Sequence, residues 1–149
     1  MKIMLTLVFL MGMATFSFAA QGVINNPSPY DVTTTADRLE NLLQKKGMTL
    51  FIRIDHSDAA KKVGVDIRPT ELLIFGNPKV GSPLMQCRQD VAIDLPQKAL
   101  IWEDESGKTF LSYNDPAYLK ERHQIKGCAQ VLEKISKALA NFAQGATSP

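Results

Sequence analysis

Residues that do chemistry are scarce in this chain. It has two cysteines, two histidines and one tryptophan in 149 residues. No Cys-x-x-Cys or His-x-x-x-His pair occurs, so the common closed zinc sites are excluded. No known catalytic motif is present, and no glycine-rich loop ends in the Gly-Lys-Ser/Thr of a phosphate-binding turn. Long runs of one charge are also missing. Seventeen basic and 15 acidic side chains leave a net charge of +2, without the basic stripe that a nucleic-acid surface needs. There is no internal repeat, and the length suits one domain with a core of its own.

Only one apolar stretch, Ile3 to Ala20, approaches bilayer-spanning length. It follows a single Lys2, contains Gly12, Thr15 and Ser17, and ends in small residues. That is the pattern of a secretory signal over residues 1–19; the other reading is an uncleaved membrane anchor, for which the span is only just long enough. Cutting after Ala19 leaves Ser17 and Ala19 in the small-residue positions; cutting after Ala20 would place the bulky Phe18 in one of them. The expectation is an exported protein, periplasmic or secreted, with no membrane segment after cleavage. In such a compartment Cys87 and Cys128 are an even count suited to one bridge. The other reading of them is two buried thiols packed as small hydrophobes.

Residues 20–31 hold Gly22, Asn25, Asn26, Pro27 and Pro29 and read as a linker or an extended entry segment. A single domain is expected over 32–145, with a frayed tail at 146–149. Ala36, Leu39, Leu42 and Leu43 recur at helical spacing, and Thr34 and Asp37 resemble a capping box. Met48, Leu50, Ile52 and Ile54 alternate as one face of a strand. Ser57 or Asp58 suits the cap of a short helix. Thr70 to Phe75 is apolar throughout and predicts a strand covered on both faces or lying mid-sheet. Ser82 followed by Pro83 predicts a helix start. Lys98–Glu103 and Lys108–Tyr113 form a hairpin across an acidic turn, and Asn114-Asp115-Pro116 opens a short helix. From Cys128, the positions of Val131, Leu132, Ile135, Leu139 and Phe142 draw one helical stripe, ended by Gly145. Together these give an α+β fold: a mainly antiparallel sheet with helices packed on one face and a long amphipathic C-terminal helix.

Several segments carry a resemblance: Glu71-Leu-Leu-Ile-Phe-Gly-Asn-Pro-Lys79, Gly81-Ser-Pro-Leu-Met-Gln86, Ala92-Ile-Asp-Leu-Pro96, Leu100-Ile-Trp-Glu-Asp104, Ser112-Tyr-Asn-Asp-Pro116, and Tyr118-Leu119 through Arg122-His123. In this order they resemble the family known as domain of unknown function 302. The resemblance implies a compact α+β fold and is compatible with a homodimer. It brings no established activity, and Cys87 is not a hallmark of it.

The candidate site residues follow from residue type. Asn77, Lys79 and Ser82 lie around a turn whose backbone donors and lysine suit an acidic ligand, although the same Gly and Pro also serve a plain strand-to-helix turn. Trp102 and Glu103 are candidates for a pocket wall. His123 is suited to acid/base work or metal ligation, or to capping the end of its helix; His56 fits an exposed turn. Met48 and Met85 are soft ligands or core filler. Glu71, Asp94, Glu103 and Asp104 are four carboxylates of which a pair could act as acid and base. The expectation is a domain that binds an unknown small molecule or protein without catalysis, in a pocket between the Asn77–Ser82 loop, His123 and Trp102/Glu103. The alternative is a metal- or haem-binding protein centred on His123, with Met85. The cofactor is left unknown.

Overall fold

The computed structural model describes residues 21–149; the expected signal segment, 1–19, lies outside them. Five strands form one antiparallel sheet: β1 (Val23–Ser28), β2 (Thr49–Asp55), β3 (Thr70–Gly76), β4 (Gln97–Glu103) and β5 (Thr109–Asn114), in the spatial order β1-β5-β4-β3-β2. The helices are α1 (Val32–Lys45), α2 (His56–Lys62), α3 (Pro78–Cys87), α4 (Pro116–Arg122) and α5 (Ala129–Thr147), with a 3-10 segment at Gln89–Asp94. The expected α+β architecture is observed.

The chain fills the sheet from its edges. β1, expected as a linker or an extended entry segment, pairs with β5 along its whole length. Pro27 is tolerated there because an edge strand has one unpaired side. α1 then runs from the β1 edge to the β2 edge, so its apolar stripe lies across the sheet. Val32, Ala36, Leu39 and Leu43 of α1 join Leu132, Ile135, Leu139, Phe142 and Ala143 of α5 over Leu73, Phe75, Ala99, Ile101, Leu111 and Tyr113. Burial of this one face is the main stabilising term.

β3 is not covered equally on both sides. Glu71, Leu73 and Phe75 are buried under the helices, whereas Leu72 and Ile74 are half-buried on the opposite face. The continuous apolar run hides an alternation because both faces of a central strand favour branched side chains. β2 departs further. A register shift between Leu50 and Ile52 leaves Phe51 as the extra residue. Beyond it Ile52 and Ile54 pair with Ile74 and Leu72 on the open face, and Arg53 pairs with Leu73 on the helix face. A bulge inverts the alternation of everything after it, so the four apolar residues read as one face are split.

The helix starts are set by short acceptor side chains. Asp31 Oδ1 accepts from the Thr34 N–H at 2.7 Å, Asp55 from Asp58 at 2.8 Å, Asn77 from Lys79 at 2.9 Å and Asp115 from Ala117 at 2.8 Å. Thr34, Ser57, Asp58 and Ser82, the caps expected from sequence, lie inside their helices. In α3 Pro78 takes the first position, where its missing N–H is not needed, and Pro83 lies within the helix. Gly145 does not end α5. It lets the helix approach α1, since a Cβ there would lie 2.7 Å from Leu42 Cδ2. The tail is tied down as well: Arg38 donates to the carbonyls of Ala146 at 2.8 Å and Ser148 at 2.6 Å.

Cys87 at the end of α3 and Cys128 at the cap of α5 are bridged, with their Cα atoms 6.4 Å apart. The bridge closes a loop of 41 residues that carries all of β4, β5 and α4. In the chain-entropy model such a loop stabilises by about 3–4 kcal/mol. Replacing both cysteines by Ser is expected to lower the unfolding free energy by that amount. Denaturant melts of the two proteins under non-reducing conditions check it; equal midpoints would show that the bridge constrains nothing.

Candidate functional site

A cavity of about 380 Å³ opens where the end of β3, the start of β4, α3 and α5 meet, within the range of small-molecule sites. Phe75 and Phe142 form its inner wall, in edge-to-face contact at 6.1 Å. Met85 of α3, Ile135 and Leu139 of α5, and Leu95 and Pro96 before β4 close its sides. The hollow persists because Gly76, Gly81, Ala92 and Ala138 face it, and none of them carries a side chain long enough to fill it. Bulged Phe51, 53% exposed, and Lys134 mark its mouth.

Few polar side chains reach this cavity. Asn77 and Ser82 line it beside α3, but the Asn77 carbonyl is taken by its own helix cap. Gln97 is the deepest. It pairs in register with Phe75 and is only 9% exposed. Its Nε2 has no hydrogen-bond partner, the only such buried side-chain nitrogen or oxygen among the described residues.

His123 sits elsewhere. It follows α4, and its backbone N–H closes that helix on Leu119 O at 3.1 Å. Its ring, 8% exposed, places Nε2 2.5 Å from Asp94 Oδ2, while Nδ1 lies 3.7 Å from Asp90. Arg122 donates to the other Asp94 oxygen at 3.1 Å. Arg88 grips Asp90 at 2.7 and 3.0 Å, and that hydrogen bonding foremost holds the Asp90 carboxyl below its usual value. The cluster fastens the 3-10 segment to the end of α4. No group of three or more His, Cys, Asp or Glu among the described residues is arranged to hold a metal ion.

Trp102 and Glu103 line a separate, polar hollow with Asp66–Thr70. The Trp102 indole donates to Ser112 Oγ at 2.8 Å, Ser112 donates to Asn25 at 2.7 Å, and the ring stacks on Phe110. Glu71 is buried on the helix face. It accepts from Arg53 Nε at 2.6 Å and from Thr33 at 3.1 Å, and Arg53 also reaches Asp37 and Glu40 on α1. The hydrogen bond that Arg53 donates to Glu71 is the largest of the effects that raise its guanidinium above its usual value.

The structure thus brings Asn77, Ser82 and Met85 together, leaves Lys79 outside the cavity wall, and sets Trp102 with Glu103, and His123, at two other places. Met48 also lines the cavity, at the start of β2. His56 opens α2, and Asp104 holds the hairpin turn by accepting from Ser106 and Lys108. Of the four carboxylates, Glu71, Asp94 and Asp104 each bond to different partners. Sequence reasoning missed Gln97, Phe51 and Ala138. The alternation Gln97, Ala99, Ile101 carried a signal for Gln97, since it places the amide on the same face as two core residues.

A family model described as "Domain of unknown function DUF302" matches residues 24–142. A crystal structure of an uncharacterized conserved DUF302 protein from Bacillus stearothermophilus superposes with a TM-score of 0.76 at 20% identity, covering 85% of this chain and 99% of that one. At that identity the likeness shows the fold alone. Two proteins named fluoride-specific ion channel FluC 1, from Brucella suis and Brucella abortus, are 43% identical over 109 residues, or 73% of this chain. The match covers 43% and 40% of those proteins, so this chain spans about two fifths of the curated relatives it matches.

The Arg53–Glu71 pair predicts an asymmetric response. Arg53→Met leaves a buried carboxylate without its cation and is expected to cost about 2–4 kcal/mol. Adding Glu71→Gln should recover part of that loss. Urea melts of the single and double variants decide it; a double variant no more stable than Arg53→Met would show that the two side chains are not coupled.

Proposed function

This chain belongs to the DUF302 family, and we propose that it is a non-catalytic binding domain for a small apolar molecule held between α3, α5 and the β3–β4 end of the sheet. The observation that carries this reading is the cavity itself: about 380 Å³, walled by aromatic and aliphatic side chains and kept open by Gly76, Gly81, Ala92 and Ala138. Each Å² of apolar ligand surface removed from water there contributes about 25 cal/mol. The lining holds no Asp, Glu, His or Cys, so it offers neither an acid/base pair nor an activated thiol. His123 and Asp94, by contrast, are spent on each other. An apolar wall is a poor host for a strongly hydrated anion, so the channel name of the Brucella proteins does not carry over to this cavity.

The finer reading is that the domain works outside the cytoplasm. The Cys87–Cys128 bridge supports it, because such bridges persist in oxidising compartments. No helix among the described residues is long and apolar enough to cross a membrane. Intact mass spectrometry of the chain expressed in a bacterial host and recovered from the periplasm should give a product beginning at Ala20 and two hydrogens lighter than the dithiol. A product retaining residues 1–19 would overturn the export reading.

Ligand binding is tested with a neutral apolar fluorophore, N-phenylnaphthylamine. Its emission should rise on titration with the native protein. Ala138→Trp, which fills the hollow, should weaken binding about tenfold or more, or ~1.4 kcal/mol, with the thermal midpoint unchanged or raised. No enhancement with the native protein, or an unaltered affinity in the variant, would sink the proposal.

A further inference from the structure

We infer that the ligand of this cavity carries one uncharged hydrogen-bond acceptor, a ketone or ester carbonyl on an otherwise apolar body, and that Gln97 Nε2 is the donor that selects it. The inference rests on the apolar-ligand reading above and goes on to name the chemical class.

Two observations place the residue at the cavity. Its strand register sets Gln97 opposite Phe75 on the helix-covered face, and Gln97 itself lines the cavity. Burying an amide N–H without an acceptor costs free energy, and proteins seldom leave such groups so. Other half-buried or buried polar side chains of this chain are answered from within: Glu71 by Arg53 and Thr33, His123 by Asp94, Trp102 by Ser112. Among the inaccessible side-chain nitrogens and oxygens of the described residues, Gln97 Nε2 alone is not. An acceptor on a bound molecule would complete it, in a low-dielectric setting where the hydrogen bond gains strength.

The acceptor should be neutral. A carboxylate drawn down to Gln97 would leave water for a wall whose donors other than the exposed Lys134 are uncharged, the amides of Gln97 and Asn77 and the Ser82 hydroxyl, and burying an unpaired anion is far costlier than burying a carbonyl. Lys134 is the one cation in the lining, and it is exposed at the mouth, where an ion pair gains little. The site therefore favours a carbonyl over both the acid and the hydrocarbon of the same shape.

The test uses the disulfide-bonded protein and a matched pair of probes, butyrophenone and butylbenzene, with N-phenylnaphthylamine as the displaced reporter. The readout is the ratio of the two dissociation constants. Gln97→Met keeps the length of the side chain and removes the donor; it should shift the ratio about tenfold toward butylbenzene. Infrared spectra of carbonyl-labelled butyrophenone supply a second reading in the native protein, independent of whether the variant folds. The bound carbonyl stretch should lie below that of the ketone in an alkane solvent. An unmoved ratio, or a bound stretch equal to that in alkane, overturns the inference while leaving the apolar-ligand reading intact. If neither probe nor the fluorophore binds the native protein, both fall together.

Discussion

Phe142 meets Phe75 edge-on at the centre of the helix-covered face, and the rest of the architecture depends on that contact. β3 lies between β4 and β2, so its inward residues Leu73 and Phe75 are the floor on which both long helices rest. α1 is held to that floor by Leu39 and Leu43, and α5 by Leu139 and Phe142. The two helices pack against each other where Gly145 admits Leu42. The earlier turns of α5, at Lys134, Ile135 and Ala138, line one side of the cavity, and α3 lines another with Val80, Gly81 and Met85. A large residue at half-buried Ala138 would close it; core packing tends toward such closure, yet this position carries a single methyl group.

The segment between β3 and β4 is short of packing of its own and is held by ties at its ends. Leu84 of α3 and Val91 of the 3-10 segment are its fully buried side chains. The bridge from Cys87 to Cys128 fastens one end of the segment to α5, and Asp94 with His123 and Arg122 fastens the other to α4. Both ties flank the cavity wall without entering it. This explains why the residue that looks most suited to catalysis in the sequence is not in the pocket: the ring of His123 is engaged in holding the wall in place. The same division holds elsewhere. Charged groups serve mainly as fasteners between elements, and the hollow is left mostly to apolar side chains, with Asn77, Ser82, Gln97 and, at the mouth, Lys134 as its polar members.

Much of this was legible in the sequence. The periodicity from Val131 to Phe142 gave α5, the alternation from Lys98 and the acidic turn gave the β4–β5 hairpin, and the turn at Gly76-Asn77-Pro78 located the junction where the cavity forms. What escaped had local causes with tertiary origins. The bulge at Phe51 leaves no mark in composition, yet it reverses the facing of Ile52, Arg53 and Ile54 and so delivers Arg53 to Glu71. Pro83 reads as a helix start by local preference, but the Pro78 that follows Asn77 starts the helix a turn and a half earlier. Gly145 reads as a stop signal and is a contact. The expected grouping of Trp102 and Glu103 with the Asn77–Ser82 turn asked two ends of neighbouring strands to meet. β3 and β4 are antiparallel: Phe75 pairs with Gln97, and Trp102 pairs with Thr70 at the far end. The partner of the Asn77 turn is thus the beginning of β4, not its end.

That register is the reason Gln97 outweighs the residues with more familiar chemistry. A position opposite Phe75, beneath α5 and beside Pro96, is one that a leucine or methionine would fill at no polar cost. The neighbouring inward positions of β4, Ala99 and Ile101, obey the rule of apolar burial, and both are essentially inaccessible. Gln97 departs from it, and its Nε2 is the one inaccessible side-chain nitrogen or oxygen among the described residues without a partner. Local rules are broken most often where structure serves something other than stability. The departure falls at the one inward position of β4 that faces the hollow rather than packed side chains. The hollow and the unmatched amide are therefore most simply read as two halves of one binding site.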